Sequence, residues 1–177
     1  MSAFNPAFLR VMAAYNQWQN ESLYGAASGL TDEERKRARG AFFGSIHATL
    51  SHILWGDRIW LSRFTDYPAP DAPIGDSGAM IADWDALKAE RVKTDDFILT
   101  WTTGVSAADL EGELSWFSAA YDRTISMRRD LLLVHFFNHQ THHRGQAHAM
   151  LTAAGAKPGP TDLPVMPAFQ SGAFDFS

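Results

Sequence analysis

From Leu131 to Gly155 the chain reads LLLVHFFNHQTHHRGQAHAMLTAAG, a proline-free run too long for a strand and closed by a glycine suited to the position just past a helix end. A helix of that length must bury one face against other elements, and this one carries an unusual set of polar residues. Five of the chain's seven histidines lie in it. His135, His139 and His143 recur every four residues, so at about 100° per residue they stack as one stripe. With His139 as the reference direction, His135 and His143 lie about 40° to either side and Gln146 is almost in line. Leu132, Phe136, Ala147 and Met150 share that half of the helix, which is therefore the expected buried face. Leu131, Phe137 and Arg144 point elsewhere, and Arg144 is expected in a structural salt bridge. His142 flanks the inner face, and His148, about 180° from His139, belongs to the surface or an interface. A stripe of imidazoles on the face that should be apolar breaks the local rules, and such breaks mark function.

The other elements follow from caps and periodicity. Asn5-Pro6 opens a helix that carries Phe8, Leu9, Met12, Tyr15, Asn16, Gln19 and Leu23 at helical spacing and ends between Gly25 and Gly29. Thr31 to Glu34 is a capping-box pattern for a short charged helix reaching Arg39. A second long helix is expected over 42–64 and a third over 79–101. The linker over 67–78, with three prolines and two glycines, is expected to hold no regular element. Residues 112–126 alternate enough to permit a small hairpin. The fourth long helix runs from near Met127 to Gly155. The segment 155–177 is expected to be non-helical and to pack back on the body. Four long helices without a convincing sheet predict an all-α four-helix bundle, a single domain over 1–177, with connections long enough for crossovers.

Composition narrows the function. A formal charge of −5 provides no basic footprint, so nucleic acid is not an expected partner. The chain has no cysteine, which removes disulfides, thiolate ligands and a cysteine nucleophile of its own. The N-terminus lacks the pattern of a signal peptide and no run of about 18 apolar residues exists, so no membrane partner and a cytoplasmic location are expected.

An i, i+4 histidine pair such as His139 and His143 brings two imidazoles within reach of one divalent ion. A third ligand must come from elsewhere, and the other histidines are His47 and His52 in the second long helix. Five residues apart, they point about 140° from each other and cannot both face the fourth helix. Ser45, Ala48, Thr49, Gly56 and Ile59 leave space around His52, whereas Phe43, Leu50, Ser51 and Leu54 make a more conventional packing surface around His47. His52 is the preferred third ligand. Three neutral histidines leave positions open on zinc, nickel or iron, the arrangement of a catalytic rather than a structural ion. His135, His142 and Gln146 are candidate catalytic groups beside it. The run His139-Gln140-Thr141-His142-His143 also resembles the zinc-peptidase pattern, but Gln140 stands where the general-base glutamate would be, which disfavours a peptidase.

The segments NHQTHHRGQAHAML and SIHATLSHILWGDRIWL resemble the DinB/YfiT-like family, damage-inducible metal-dependent bundle proteins distinct from the lesion-bypass polymerase that shares the name. The resemblance extends over almost the whole chain, from Asn16 in the first helix to the closing TDLP segment, and the HRGQ context makes it specific. It implies an up-down-down-up four-helix bundle, a homodimer, and a divalent ion on His52, His139 and His143. It also implies a thiol-dependent activity, since relatives include S-transferases that use bacillithiol or mycothiol and a thiol-dependent maleylpyruvate isomerase. A small-molecule thiol and an electrophile are then the expected partners. The alternatives are a hydrolase that uses metal-bound water, for which Asp57 lies off the inner face, and a non-catalytic metal- or ligand-binding stress protein.

Overall fold

A computed structural model of the chain describes residue 2 and residues 4–119 and 121–174. Helix α1 (Pro6–Ser28) starts where the Asn5 side chain accepts the Phe8 N–H at 3.1 Å, with Pro6 at the first helical position. Thr31 caps the short α2 (Asp32–Lys36) through the Glu34 N–H. Helix α3 (Ile46–Phe64) is capped by Ser45, and α4 (Trp84–Gly104) by Asp83. Strands β1 (Glu113–Ser118) and β2 (Arg123–Arg128) pair antiparallel with Trp116 opposite Ile125. The hairpin runs straight into α5 (Arg129–Ala153), which Gly155 closes at φ 82°, a left-handed conformation that costs glycine nothing.

Helix α1 packs on α4 and α5, and α3 packs on the same two helices. Each long helix is apolar towards both ends and polar in the middle. One apolar cluster gathers Leu23, Ile46, Leu50, Leu54, Trp84, Leu87 and Leu151, and the other Leu9, Trp60, Leu61, Ile98, Leu132, Phe136 and Phe137. Between them along the helices lies a buried polar belt of Asn16, Asn20, Asp57, Arg91, Asp95, Gln140 and Arg144. Arg91 ties the belt together, donating to Asp57 at 2.5 Å and to both oxygens of Asp95 at 2.8 and 3.0 Å. Asn16 and Asn20 donate to Asp95, and Gln140 donates to Asp57 at 2.7 Å.

The structure corrects several expectations. Helices dominate, but the hairpin makes the fold mostly helical with a two-stranded sheet rather than all-α. Helix α2 stops at Lys36 instead of reaching Arg39, whose guanidinium turns back to Glu34. Helix α3 begins at Ile46, not Phe42, because Gly44 sits at φ 79° and Ser45 provides the cap. Helix α4 begins at Trp84, and the proline-rich linker contains a 3-10 helix, Ile74–Ala79. The C-terminal segment expected to be non-helical contains a 3-10 turn, Leu163–Val165, and a short helix α6 (Pro167–Gln170), in both of which proline occupies the opening turn where a missing N–H is harmless. Hydrogen bonds from Tyr15 Oη to Thr161 O, Gln19 Nε2 to Pro160 O and Gly159 N to Ser22 Oγ hold that segment to α1. Its last three positions, 175–177, lie outside the described residues. No helix among the described residues is long and apolar enough to cross a membrane.

The buried face of α5 is also rotated from the expected one. Phe137, Gln140 and Arg144 are buried with Leu132, Leu133, Phe136, His143 and Ala147, while His139 is half-buried and His135 is exposed. Helices α1 and α3 both flank α5, and inside the body Asp57 accepts from Gln140 Nε2 and Asn16 from Arg144.

Candidate metal centre

His52 lies in the middle of α3, and His139 and His143 lie one turn apart on the flank of α5 that faces it. One ring nitrogen from each lies within 4.8 Å of those of the other two, and the Nε2 atoms of His52 and His139 are 3.1 Å apart. Two nitrogens sharing one ion at about 2.0–2.1 Å are themselves about 3 Å apart, so this spacing suits a common ion. The close approach of α5 to α3 depends on Gly56, where an added Cβ would lie 2.6 Å from His139 Cε1.

Two of the rings are held by partners on their outer nitrogens. His52 Nδ1 lies 2.9 Å from Ser77 Oγ, and the Ser77 carbonyl accepts from Ser51 Oγ at 2.8 Å. His143 Nδ1 lies 2.8 Å from Gln146 Oε1. With a proton on each Nδ1, the two Nε2 lone pairs remain for the centre, the tautomer a metal ligand needs. Phe43, in the loop before α3, stacks on His52 with ring centroids 3.8 Å apart and meets His143 edge-on at 5.3 Å. Burial, reinforced by the neighbouring rings, depresses the pKa of His139 to about 3 and of His52 to about 4. Burial also lowers that of His143, opposed by its hydrogen bond to Gln146. All three are neutral donors at pH 7, and three convergent neutral imidazoles fit a divalent zinc, nickel or iron ion.

The cluster forms one wall of an open cleft of about 740 Å³, bordered by Phe42, Phe43, Ile74, Gly75, His142 and Gln146. Phe42 is 82% exposed there. No carboxylate lines the cleft among the described residues.

The remaining sequence candidates separate. Gln146 orients His143, and its Nε2 also lies 3.3 Å from His142 Nε2. His142 is exposed on the cleft wall, its ring 4.8 Å from that of His143. His135 lies outside the cleft lining, edge-on to Trp60 at 5.1 Å, and its exposure corrects its expected place on the buried face. His47 is buried, with Nε2 at 2.8 Å from the Ile81 carbonyl. Gln140, at the position of a peptidase glutamate, turns into the belt and donates to Asp57. Arg144 has no salt bridge: among the described residues no carboxylate comes within pairing distance, and it donates to Asn16 Oδ1 and Thr141 Oγ1. Sequence reasoning missed Phe43 and Ser77 as site residues. Ser77 sits in the proline-rich linker, where no local signal marks it, whereas Gly56 was legible as a small residue four positions after His52.

The DinB family model matches residues 1–172. Protein DinB of Bacillus subtilis (strain 168) is 27% identical over 168 residues, covering 84% of this chain and 87% of that protein. A crystal structure of a DinB-like protein from Bacillus cereus ATCC 10987 superposes with a TM-score of 0.55 at 21% identity, over 81% of this chain and 90% of that one.

Proposed function

The chain belongs to the DinB family, and on that premise we propose that His52, His139 and His143 bind a divalent metal ion and that the protein is a thiol-dependent S-transferase. The observation that carries this reading is the convergence of three neutral imidazoles within 4.8 Å beside an open cleft of about 740 Å³. A structural ion would be enclosed by protein ligands, whereas this centre opens to a space that admits a small molecule.

When bound, the ion supplies Lewis acidity that favours the thiolate form of a cosubstrate thiol. Across the whole reaction the thiol gives up its S–H proton, sulfur forms a bond to an electrophilic carbon, and the leaving group departs with its electron pair. The chain contributes position and environment. Phe43 stacked on His52 and Ile74 across the cleft offer apolar walls for the electrophile. His142, exposed at the wall and linked through Gln146 to His143, is placed to receive the thiol proton at a ring nitrogen. His135 stands outside the cleft and takes no part. A hydrolase is less well supported, because the cleft lacks a carboxylate base and Asp57 is held by Arg91 and Gln140. The family resemblance further supports an up-down-down-up order for the four long helices, a cytoplasmic homodimer as the working unit, and zinc, nickel or iron as the ion.

Elemental analysis of the purified protein tests the centre first. About one divalent ion per chain is expected, falling below about a tenth in His52→Ala; full occupancy in that variant overturns the ligand set. Metal-loaded protein is then assayed with a panel of low-molecular-weight thiols and the electrophiles monobromobimane or chlorodinitrobenzene. Metal-dependent conjugation is expected. Full metal occupancy without conjugation of any thiol would leave the centre standing and refute the transferase.

A further inference from the structure

A second cleft, of about 340 Å³, opens between α1 and α5 and shares no lining residue with the histidine cleft. Tyr15, Gln19 and Leu23 come from one side, Arg144, Gly145 and Ala149 from the other, and Thr161 of the C-terminal segment from its edge. Arg144 is the lining residue with a permanent charge, and it is only 5% exposed.

Two equally buried arginine side chains can be compared directly. Arg91 is met by two carboxylates, Asp57 and Asp95. Arg144 reaches only neutral acceptors, Asn16 Oδ1 and Thr141 Oγ1, which engage two of its five N–H donors. Asp57 and Asp95 balance the two arginines in charge and act on Arg144 through space, but both are clasped by Arg91, so Arg144 has no carboxylate at hydrogen-bonding distance and keeps N–H donors for one. The Tyr15 ring lies 5.6 Å from the guanidinium and adds an aromatic wall. Asp162, within electrostatic reach of Tyr15, is outside the cleft lining.

We propose that this cleft binds a small organic carboxylate, with its carboxylate on the Arg144 guanidinium and its apolar part along Tyr15, Leu23 and Ala149. One fixed positive charge matches a monoanion better than a dianion, a carboxylate can accept two parallel N–H bonds from a guanidinium edge, and the walls at Leu23 and Ala149 suit an apolar body that inorganic phosphate lacks. The volume suits an acid of about the size of benzoate. The proposal is independent of the metal centre and of the transferase reading.

The test uses the full chain, titrated calorimetrically and followed by thermal unfolding in sodium benzoate, sodium acetate, sodium phosphate and sodium chloride at matched ionic strength. Benzoate is expected to bind saturably and raise the unfolding midpoint, acetate to do so more weakly, and phosphate to behave as chloride does. Because truncating a buried Arg144 also unsettles the core, the deciding variant is Gly145→Leu. Gly145 is exposed, and a Cβ there meets nothing within 4 Å, so the leucine reaches over the cleft and leaves Arg144 in place. Benzoate affinity should fall at least about tenfold in this variant, while its metal content stays that of the parent. A benzoate response equal to chloride, one that survives Gly145→Leu unchanged, or tighter binding of phosphate than of benzoate would each overturn the proposal.

Discussion

Two polar clusters occupy the middle of the helical body, and they are built on opposite principles. In the belt, Asp57, Arg91 and Asp95 face one another at hydrogen-bonding distance, and amides from α1 and α5 complete their contacts. At the metal centre, three like side chains are brought together, with the outer nitrogens of His52 and His143 held and the inner nitrogens of His52 and His139 facing each other. The carboxylates of the belt are taken up by Arg91 and the amides around it, whereas the histidine cluster keeps its inner nitrogens for a ligand. An arrangement of the first kind fixes how helices meet, and one of the second kind awaits a ligand. A polar residue in a core therefore says little about function until its partners are counted.

The largest effect should come from breaking the belt. Arg91→Leu leaves two buried carboxylates facing each other and should cost about 3–5 kcal/mol in denaturant unfolding, with the metal ligands untouched. A loss below about 1 kcal/mol would show that the belt does not set the helix packing. Gly56→Ala targets the other cluster. Its methyl would collide with His139, and metal affinity measured by competition with a chelator should drop by about 10–100-fold. Unchanged affinity would mean that His139 does not need the present approach of α5 to α3.

Acid separates the clusters by the sign of their pH response in metal-free protein. His52 and His139 titrate near 4 and 3 in the folded chain, against about 6.5 unfolded. Their neutral forms therefore stabilise the fold fully above about pH 6.5, and that contribution is lost as pH falls through the folded values. Asp95, pushed up to about 6 by burial in spite of Arg91, runs the other way: its contribution is present below the unfolded value of about 3.9 and is lost as pH rises through about 6. Unfolding midpoints of the apo protein between pH 4 and about 6.5 should thus rise more steeply in the parent than in a His52→Gln/His139→Gln variant. Equal slopes would contradict the buried, neutral state of the two rings. The smallest effect is expected at Gly25, an exposed glycine in the last turn of α1 with open space at its Cβ. Gly25→Ala should add roughly 0.5–1 kcal/mol to stability without altering metal content, in contrast to the same change at Gly56.

Much of this was legible in the chain itself. Asn5, Thr31 and Gly155 mark helix ends through local chemistry, which needs no knowledge of the rest of the fold. The i, i+4 spacing of His139 and His143 and the small residues around His52 carried the metal cluster, because a helix converts spacing into direction. The orientation of α5 was less accessible. Gln140 and Arg144 look like surface residues until Asp57 and Asn16, distant in sequence, are known to await them inside. Asn16 and Asn20, polar at adjacent turns of α1, and the Arg91–Asp95 pair on α4 were the available hints of a buried belt. Phe43 reaches the site from a loop and Ser77 from the 3-10 helix in the proline-rich linker, where no apolar periodicity in the sequence assigns a direction.

The passage from β2 into α5 has no loop: the strand ends at Arg128 and the helix starts at Arg129, whose N–H donates to the Gly112 carbonyl at 3.0 Å beside the opposite strand. The hairpin thus acts as an index mark for the rotation of α5 about its own axis. One residue inserted at that junction would dial the helix round by about 100°, swapping imidazoles for whatever side chain came next. Length at this seam is therefore part of the recipe for the metal centre, although the nearest ligand, His139, lies ten residues beyond it.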